Sequence, residues 1–395
     1  MIENLIPKLS DEISIYQLNK KDFFIHQMHF DHRVKISNDL NNFIALIDGK
    51  QNLKNLVDNY NGMYNIGLTT SFAHEFLYVK LAKFGIVENN SITIKPNLKP
   101  SYIKLSFIVV NERTVSKLTK YLRFLFIPNV IKSILIVAVF ILVVCFYFFY
   151  DEILHTTITK SEWILFFFLS FIGVTFHEFG HASAAHYFGA KHGGIGGGFY
   201  LFMPVYFADV TDIWKLNKFK RIIVNLAGMY FELVYVVFLV LVSFLVENNL
   251  ILILACIYSM SILHSLNPFA RSDGYWILSD AIEKPNLMYQ GFVRVKSIFK
   301  ISKKWKIIDY FLLIYGLLSY SFILFFLYFV LVKNPNSILY FPQNAAGFIN
   351  TIFEDNSKFS LVDLGNLFIP ILFFYLLFGW TKTLFSKIKR NISLL

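Results

Sequence analysis

Long apolar segments alternate with short polar loops from residue 126 onward. Two of these segments, 131–150 and 222–246, have the length of roughly 20 apolar residues that a helix needs to cross a bilayer. The same criterion predicts six membrane-spanning helices, at 126–150, 161–187, 222–246, 250–267, 306–332 and 361–384. We therefore expect residues 126–395 to form a polytopic α-helical membrane domain.

Residues 1–100 show short periodic stretches separated by glycines, and no apolar run among them is long enough to cross a bilayer. The pattern predicts strands at 13–18, 22–28 and 33–36, followed by helices at 38–49, 52–60 and 70–84. Asn38 and Ser71 suit helix starts, and Gly49 and Gly85 suit helix ends because glycine adopts positive φ readily. The prediction is a separate α+β domain of winged-helix type.

Basic residues indicate how the chain is oriented in the membrane. Residues 101–125 are rich in lysine and arginine, which is typical of a basic linker lying against an anionic inner leaflet. Most lysines and arginines of the later loops fall on one predicted side, whereas the other side holds only Lys160, Lys333 and Lys358. The positive-inside rule then predicts a multi-pass protein of the cell membrane with both termini in the cytoplasm.

Composition supports a lipid-embedded chain. Of the 395 residues, 56% are hydrophobic and 16% are charged, against roughly 25% charged residues in ordinary soluble domains. The net charge of +11 does not indicate a nucleic-acid partner, because the basic residues lie mainly beside membrane segments. Cys145 and Cys256 both fall inside apolar runs, so the sequence predicts neither a disulfide framework nor a thiolate zinc site.

The second predicted span ends in a pattern that indicates metal chemistry. His177 and His181 are four residues apart and share one helical face, with Glu178 beside them. Two imidazoles can hold Zn²⁺, and a neighbouring glutamate can deprotonate metal-bound water. The third ligand is expected to be Asp273, because Pro268 interrupts the fourth span just before it; Asp209 remains an alternative.

These residues resemble the site-2 protease family of intramembrane zinc metalloproteases. HEFGH at 177–181 and NPFARSDG at 267–274 match the two family motifs in order, and 209–233 is similar to the bacterial peptide zinc metalloprotease branch. The resemblance implies that His177, His181 and Asp273 bind zinc and that Glu178 is the general base. Ser272 stands where the family usually has leucine, which puts the tightness of packing in doubt.

Three further features of the membrane domain have two readings each. Asn267 is a candidate oxyanion donor or a cap of the broken helix. Glu232 is a candidate to orient a zinc-binding histidine, although a hydrogen bond between helices is slightly favoured. The glycine-rich stretch 191–210 is either a strand that holds substrate by backbone pairing, as the resemblance also implies, or a flexible connector.

The amino-terminal pattern is similar to PqqD-like leader-recognition domains, which implies capture of a leader peptide at a sheet edge. A generic winged helix used for regulation or assembly is the alternative. The expected function is peptide-bond hydrolysis in the maturation or leader removal of a ribosomally synthesised, modified peptide, with an exporter or a peptide-modifying enzyme as a possible partner. Regulated cleavage of a membrane-anchored signalling protein is one alternative, and a non-catalytic peptide-binding export or immunity accessory is another.

Overall fold

The computed structural model describes residues 2–18, 22–30, 32–88, 92–94, 103–155, 159–200, 203–298, 305–353 and 361–392. The chain divides into two compact units. The first contains residues 1–103 and 212–218, and the second contains residues 104–211 and 219–395.

The first unit contains a three-stranded antiparallel sheet in the order β1-β2-β3, formed by Ile13–Gln17, Asp22–Gln27 and His32–Ser37. Ile15 pairs with Ile25, and Ile25 pairs with Val34, so these three side chains lie on one face of the sheet. Ile25 packs with Phe43 and Leu77 in a fully buried core. All three strands lie close to their predicted positions.

Three helical segments cover this sheet: α1 at Asn38–Ala45, α2 at Leu53–Tyr64 and α3 at Thr70–His74, the last continued by a π-helical turn. The caps are Ser37 and Thr69, whose side chains accept the N–H groups of Leu40 and Phe72, rather than the predicted Asn38 and Ser71. Each true cap stands just before the first helical residue, where its backbone is still extended. Gly85 ends the third segment with φ of 71°, as predicted.

The first helix ends four residues earlier than the sequence pattern indicates, at Ala45 instead of Gly49. Asp48 explains the difference, because its carboxylate accepts the N–H groups of Gln51 and Lys50 and so builds a turn there. These hydrogen bonds lower the pKa of Asp48 to about 2. Gly49 has φ of 70° within that turn.

The second unit is mostly helical. Its helices are α4 Glu112–Leu122, α5 Pro128–Phe148, α6 Tyr150–His155, α7 Lys160–Tyr187, α8 Lys218–Leu245, α9 Asn249–Ser265, α10 Asp273–Ala281, α11 Leu287–Lys296, α12 Ile307–Tyr328, α13 Pro335–Leu339, α14 Phe341–Phe353 and α15 Leu361–Ile392. Among the described residues, four helices are long and apolar enough to cross a membrane: Pro128–Phe148, Ser161–Tyr187, Lys218–Leu245 and Ile307–Lys333. The other two predicted spans correspond to shorter apolar helices, Asn249–Ser265 and Leu367–Lys382, so six spans are not established.

Residues assigned from sequence to a basic linker carry regular structure. Strand β4, at Lys104–Val110, pairs with β5, at Ile195–Tyr200, and β5 pairs with β6, at Met203–Ala208. Helix α4 follows β4 directly, with Asn111 as its cap. The apolar run in β4 gains backbone partners from the glycine-rich strand β5, a long-range pairing that the local charge pattern does not reveal.

Close helix packing in the second unit depends on small residues. A side chain at Gly180 in α7 would run into the backbone of Ala227 in α8, so glycine lets the two helices approach. Helix α10 is fixed to α8 by Asp280, whose carboxylate accepts hydrogen bonds from Arg221 at 2.7 Å and Asn225 at 3.0 Å. Since α10 begins with Asp273, this contact also determines where that carboxylate lies.

Candidate metal centre

Two histidines meet on the inner face of α7. His177 and His181 are one helical turn apart, and their Nε2 atoms lie 3.0 Å from each other. Both side chains are buried, at 8% and 7% exposure. The predicted sharing of one helical face is therefore realised, and both Nε2 atoms point to the same place.

Asp273 completes a triangle with these two nitrogens. Its Oδ2 lies 3.0 Å from Nε2 of His177, and its Oδ1 lies 3.5 Å from Nε2 of His181. Nitrogen and oxygen ligands about 2.0–2.1 Å from a tetrahedral zinc stand roughly 3.3 Å apart. The spacing of the three donor groups therefore fits one zinc ion.

The protonation of the rings strengthens this fit. Nδ1 of His181 lies 2.7 Å from the carbonyl oxygen of Val224, which can only accept, so Nδ1 carries the proton. Nδ1 of His177 lies 3.3 Å from a carboxylate oxygen of Glu232, which favours the same tautomer. Both Nε2 atoms then present lone pairs to each other and to a carboxylate, and a shared cation relieves their repulsion.

Gly228 of α8 supplies the space for this arrangement. A Cβ atom there would stand 2.6 Å from Nε2 of His181 and would collide with Nε2 of His177 as well. The imidazoles thus lie directly against the backbone of α8. Any larger residue at this position would occupy the place that the donor atoms share.

Helix α9 ends at Ser265, and a short turn separates it from α10. The predicted interruption near Pro268 is present. Gly274 allows the start of α10 to approach the end of α9, because a side chain at this position would strike the carbonyl of Leu266. Gly274 is not among the glycines with positive φ, so its role is close approach rather than an unusual backbone conformation.

Glu178 is buried beside the histidines, and one ligand atom from each of these three residues lies within 4.8 Å of the others. Its Oε2 accepts the backbone N–H of Ala208, at the end of β6, at 2.5 Å. Residues 191–210 therefore include a strand beside the centre, and this strand restrains the candidate base.

Asn267 and Asp209 both have local roles in the structure. The side-chain oxygen of Asn267 accepts the N–H of Phe269, so Asn267 supports the turn between α9 and α10. Its role as oxyanion donor stays a prediction. Asp209 accepts two hydrogen bonds from Thr211 and supports the end of β6. Of the two candidates for third ligand, Asp273 is the one that lies against both histidines.

Comparison with known proteins gives one distant relative. The chain is 27% identical over 119 residues to the Bacillus subtilis (strain 168) protein named "Putative peptide zinc metalloprotease protein YydH". The match covers 29% of this chain and 47% of the relative, so the chain spans about half the length of the curated relative that it matches. No family model matches the chain. No solved structure matches it either.

Sequence reasoning missed three contributors to the centre. Ala208 gave no signal, because it contributes a backbone N–H that any residue except proline could supply. Val224 contributes a backbone carbonyl in the same way. Gly228 could have been found, since a glycine inside an apolar helix often marks a close approach.

Proposed function

We propose that this chain is an intramembrane zinc metalloprotease of the site-2 type that hydrolyses peptide bonds. The observation that carries the proposal is the triangle of His177, His181 and Asp273, with Glu178 buried next to it. The name of the distant Bacillus subtilis relative supports a zinc metalloprotease in general. The four long apolar helices support a membrane location.

Each residue would have a distinct task. His177, His181 and Asp273 would hold zinc, which when bound supplies polarisation of the scissile carbonyl and a more acidic water. Glu178 would take a proton from that water and pass it to the leaving amine. Because Oε2 of Glu178 accepts the N–H of Ala208, Oε1 would be the oxygen that takes the proton. The side-chain amide of Asn267 would donate to the oxygen of the scissile carbonyl.

The edge of β6 suits an extended peptide substrate. In the sheet order β4-β5-β6, β6 is an outer strand, and the N–H of Ala208 points away from β5 toward Glu178. Strand geometry repeats every two residues, so the backbone of Tyr206 faces the same side. A peptide paired with this edge would place its backbone alongside the base.

The separate amino-terminal unit supports a maturation role. Its three-stranded sheet with covering helices suits capture of a leader peptide by strand addition, followed by cleavage in the membrane domain. On this proposal the substrate is a ribosomally synthesised, modified peptide, and an exporter or peptide-modifying enzyme acts with the protease.

Peptide mass analysis of cells tests the whole proposal. Cells with the full chain should accumulate a processed peptide, and cells without it should accumulate the precursor. Removal of residues 1–100 should slow cleavage of the long precursor much more than cleavage of a short peptide with only the cut site, because remote binding energy is lost. Equal slowing of both substrates would contradict leader capture. Identical peptide profiles with and without the full chain would contradict the protease.

The proposed topology places both termini and the segment 271–306 in the cytoplasm, because basic residues concentrate there. Single cysteines at Lys296 and Gln343 should label from the cytoplasmic and the external side, respectively. Native Cys145 and Cys256 are buried and should give little background. Labelling from the reverse sides would overturn this topology.

A further inference from the structure

One stripe of α8 touches both histidines. Val224, Gly228 and Glu232 are spaced four residues apart and therefore lie along one face of the helix. The carbonyl of Val224 accepts from His181, Gly228 leaves room for both rings, and Glu232 faces His177. These three contacts with α7 all concern the two imidazoles.

Glu232 is a buried acid whose two carboxylate oxygens have different neighbours. Its side chain is only 4% exposed. Oε1 accepts the hydroxyl of Tyr258 at 3.0 Å and that of Ser261 at 3.5 Å, and these bonds join α8 to α9. Oε2 lies 3.3 Å from Nδ1 of His177, and among the described residues neither of these two buried atoms has a hydrogen-bond partner.

The different neighbours of the two oxygens distinguish two roles for Glu232, linking α8 to α9 and orienting His177. A carboxylate that serves only to link helices needs the Oε1 contacts alone. The second oxygen is buried against a ring nitrogen that likewise needs a partner, and leaving either group unpaired would be costly. A small rotation of the ring would let Nδ1 of His177 donate to Oε2, and this bond would satisfy both atoms.

Gly173 supplies the space that brings Tyr258 to Glu232. A Cβ at Gly173 would stand 2.5 Å from the hydroxyl oxygen of Tyr258, so only glycine lets this ring pass. Gly173 lies one helical turn before His177, on the same side of α7. Tyr258 thus reaches Glu232 across the surface of α7, at the point where Gly173 has no side chain.

We infer that Glu232, anchored by Tyr258, is a positioning residue that holds Nδ1 of His177 and aims Nε2 at the metal centre. The inference rests on the proposed function, since it concerns the metal that the site would hold. The two histidines have unequal partners: a neutral backbone carbonyl orients His181, and a carboxylate orients His177. The carboxylate makes His177 the more basic ligand, and its charge offsets part of the metal's charge.

Zinc affinity measured by chelator competition tests this inference on the full-length, detergent-purified protein. Glu232→Gln should bind zinc roughly 10–100-fold more weakly, the loss typical of removing such a partner. Tyr258→Phe should weaken binding in the same direction by a smaller factor. Tyr235→Phe is the matched control, because Tyr235 is also buried in this helix cluster but donates to the carbonyl of Leu169.

A spectroscopic readout separates positioning from general packing. With Co²⁺ in place of zinc, the visible absorption of Glu232→Gln should shift, and that of Tyr235→Phe should match the unmodified protein. Unchanged zinc affinity and cobalt spectrum in both Glu232→Gln and Tyr258→Phe would overturn the inference while leaving the metal centre intact. Unmodified protein that binds no zinc would instead contradict the proposed function itself. If Glu232→Gln does not fold, the comparison of zinc affinity between Tyr258→Phe and Tyr235→Phe decides: equal affinities would overturn the inference.

Discussion

Replacing Glu178 by glutamine is expected to abolish peptide hydrolysis while one zinc ion stays bound per chain. Glutamine has almost the same shape and retains an oxygen that can accept the N–H of Ala208, so the surroundings should be preserved. It cannot take a proton from water, however. Loss of a general base typically lowers the rate by about 10²–10⁴-fold. The measurement is the cleavage rate together with the zinc content of the same sample.

Glu247→Gln provides a matched control, because Glu247 is an exposed acid after the end of α8. It should retain full activity and full zinc. If Glu178→Gln cleaves peptide at the unmodified rate, Glu178 is not the base and the proposed mechanism fails. If Glu178→Gln also loses zinc, its carboxylate belongs to the ligand set rather than to the proton transfer.

Replacing Gly228 by alanine is expected to eliminate zinc binding through a single added methyl group. The new Cβ would stand 2.6 Å from Nε2 of His181 and would overlap Nε2 of His177, so both rings would have to turn away. Zinc ligands tolerate little displacement from bond lengths of about 2.0–2.1 Å. Zinc content per chain should fall to the level of a His177→Ala variant, and hydrolysis should fall with it.

Gly379→Ala is the control for this variant, since a Cβ there meets no described atom within 4 Å and the residue also lies in an apolar helix. It should keep its zinc. Thermal unfolding of Gly228→Ala and His177→Ala, the two variants expected to lack zinc, shows whether Gly228→Ala still folds. A folded Gly228→Ala protein with full zinc would show that the imidazoles do not rest on α8.

The placement of the candidate ligands could be predicted from sequence because it follows local rules. A spacing of four residues places His177 and His181 on one face of any α-helix. A proline at 268 indicates an interruption before Asp273. Both features depend on short segments, and the structure realises both. The bounds of the strands in the amino-terminal sheet could also be predicted from sequence, since strand alternation and turns are local features as well.

What escaped prediction depends on distant parts of the chain. The pairing of β4 with β5 joins residues about 90 positions apart, and the charges near β4 suggested a linker instead. The two readings of Glu232 could not be separated from sequence, because each oxygen of the carboxylate has a different neighbour. The structure supports four long apolar helices among the described residues, and the count of six stays a prediction, since α9 is a shorter apolar helix that ends at Ser265.

The proposed ligands lie far apart along the chain, on α7 and at the start of α10, and this separation affects the order of events during biosynthesis. His177 and His181 leave the ribosome well before Asp273, on the order of ten seconds earlier at typical elongation rates. During that interval the nascent chain has only two of the three proposed zinc ligands. If these residues bind zinc as proposed, loading would follow synthesis of α10, and a chain truncated before residue 273 would lack the third proposed ligand.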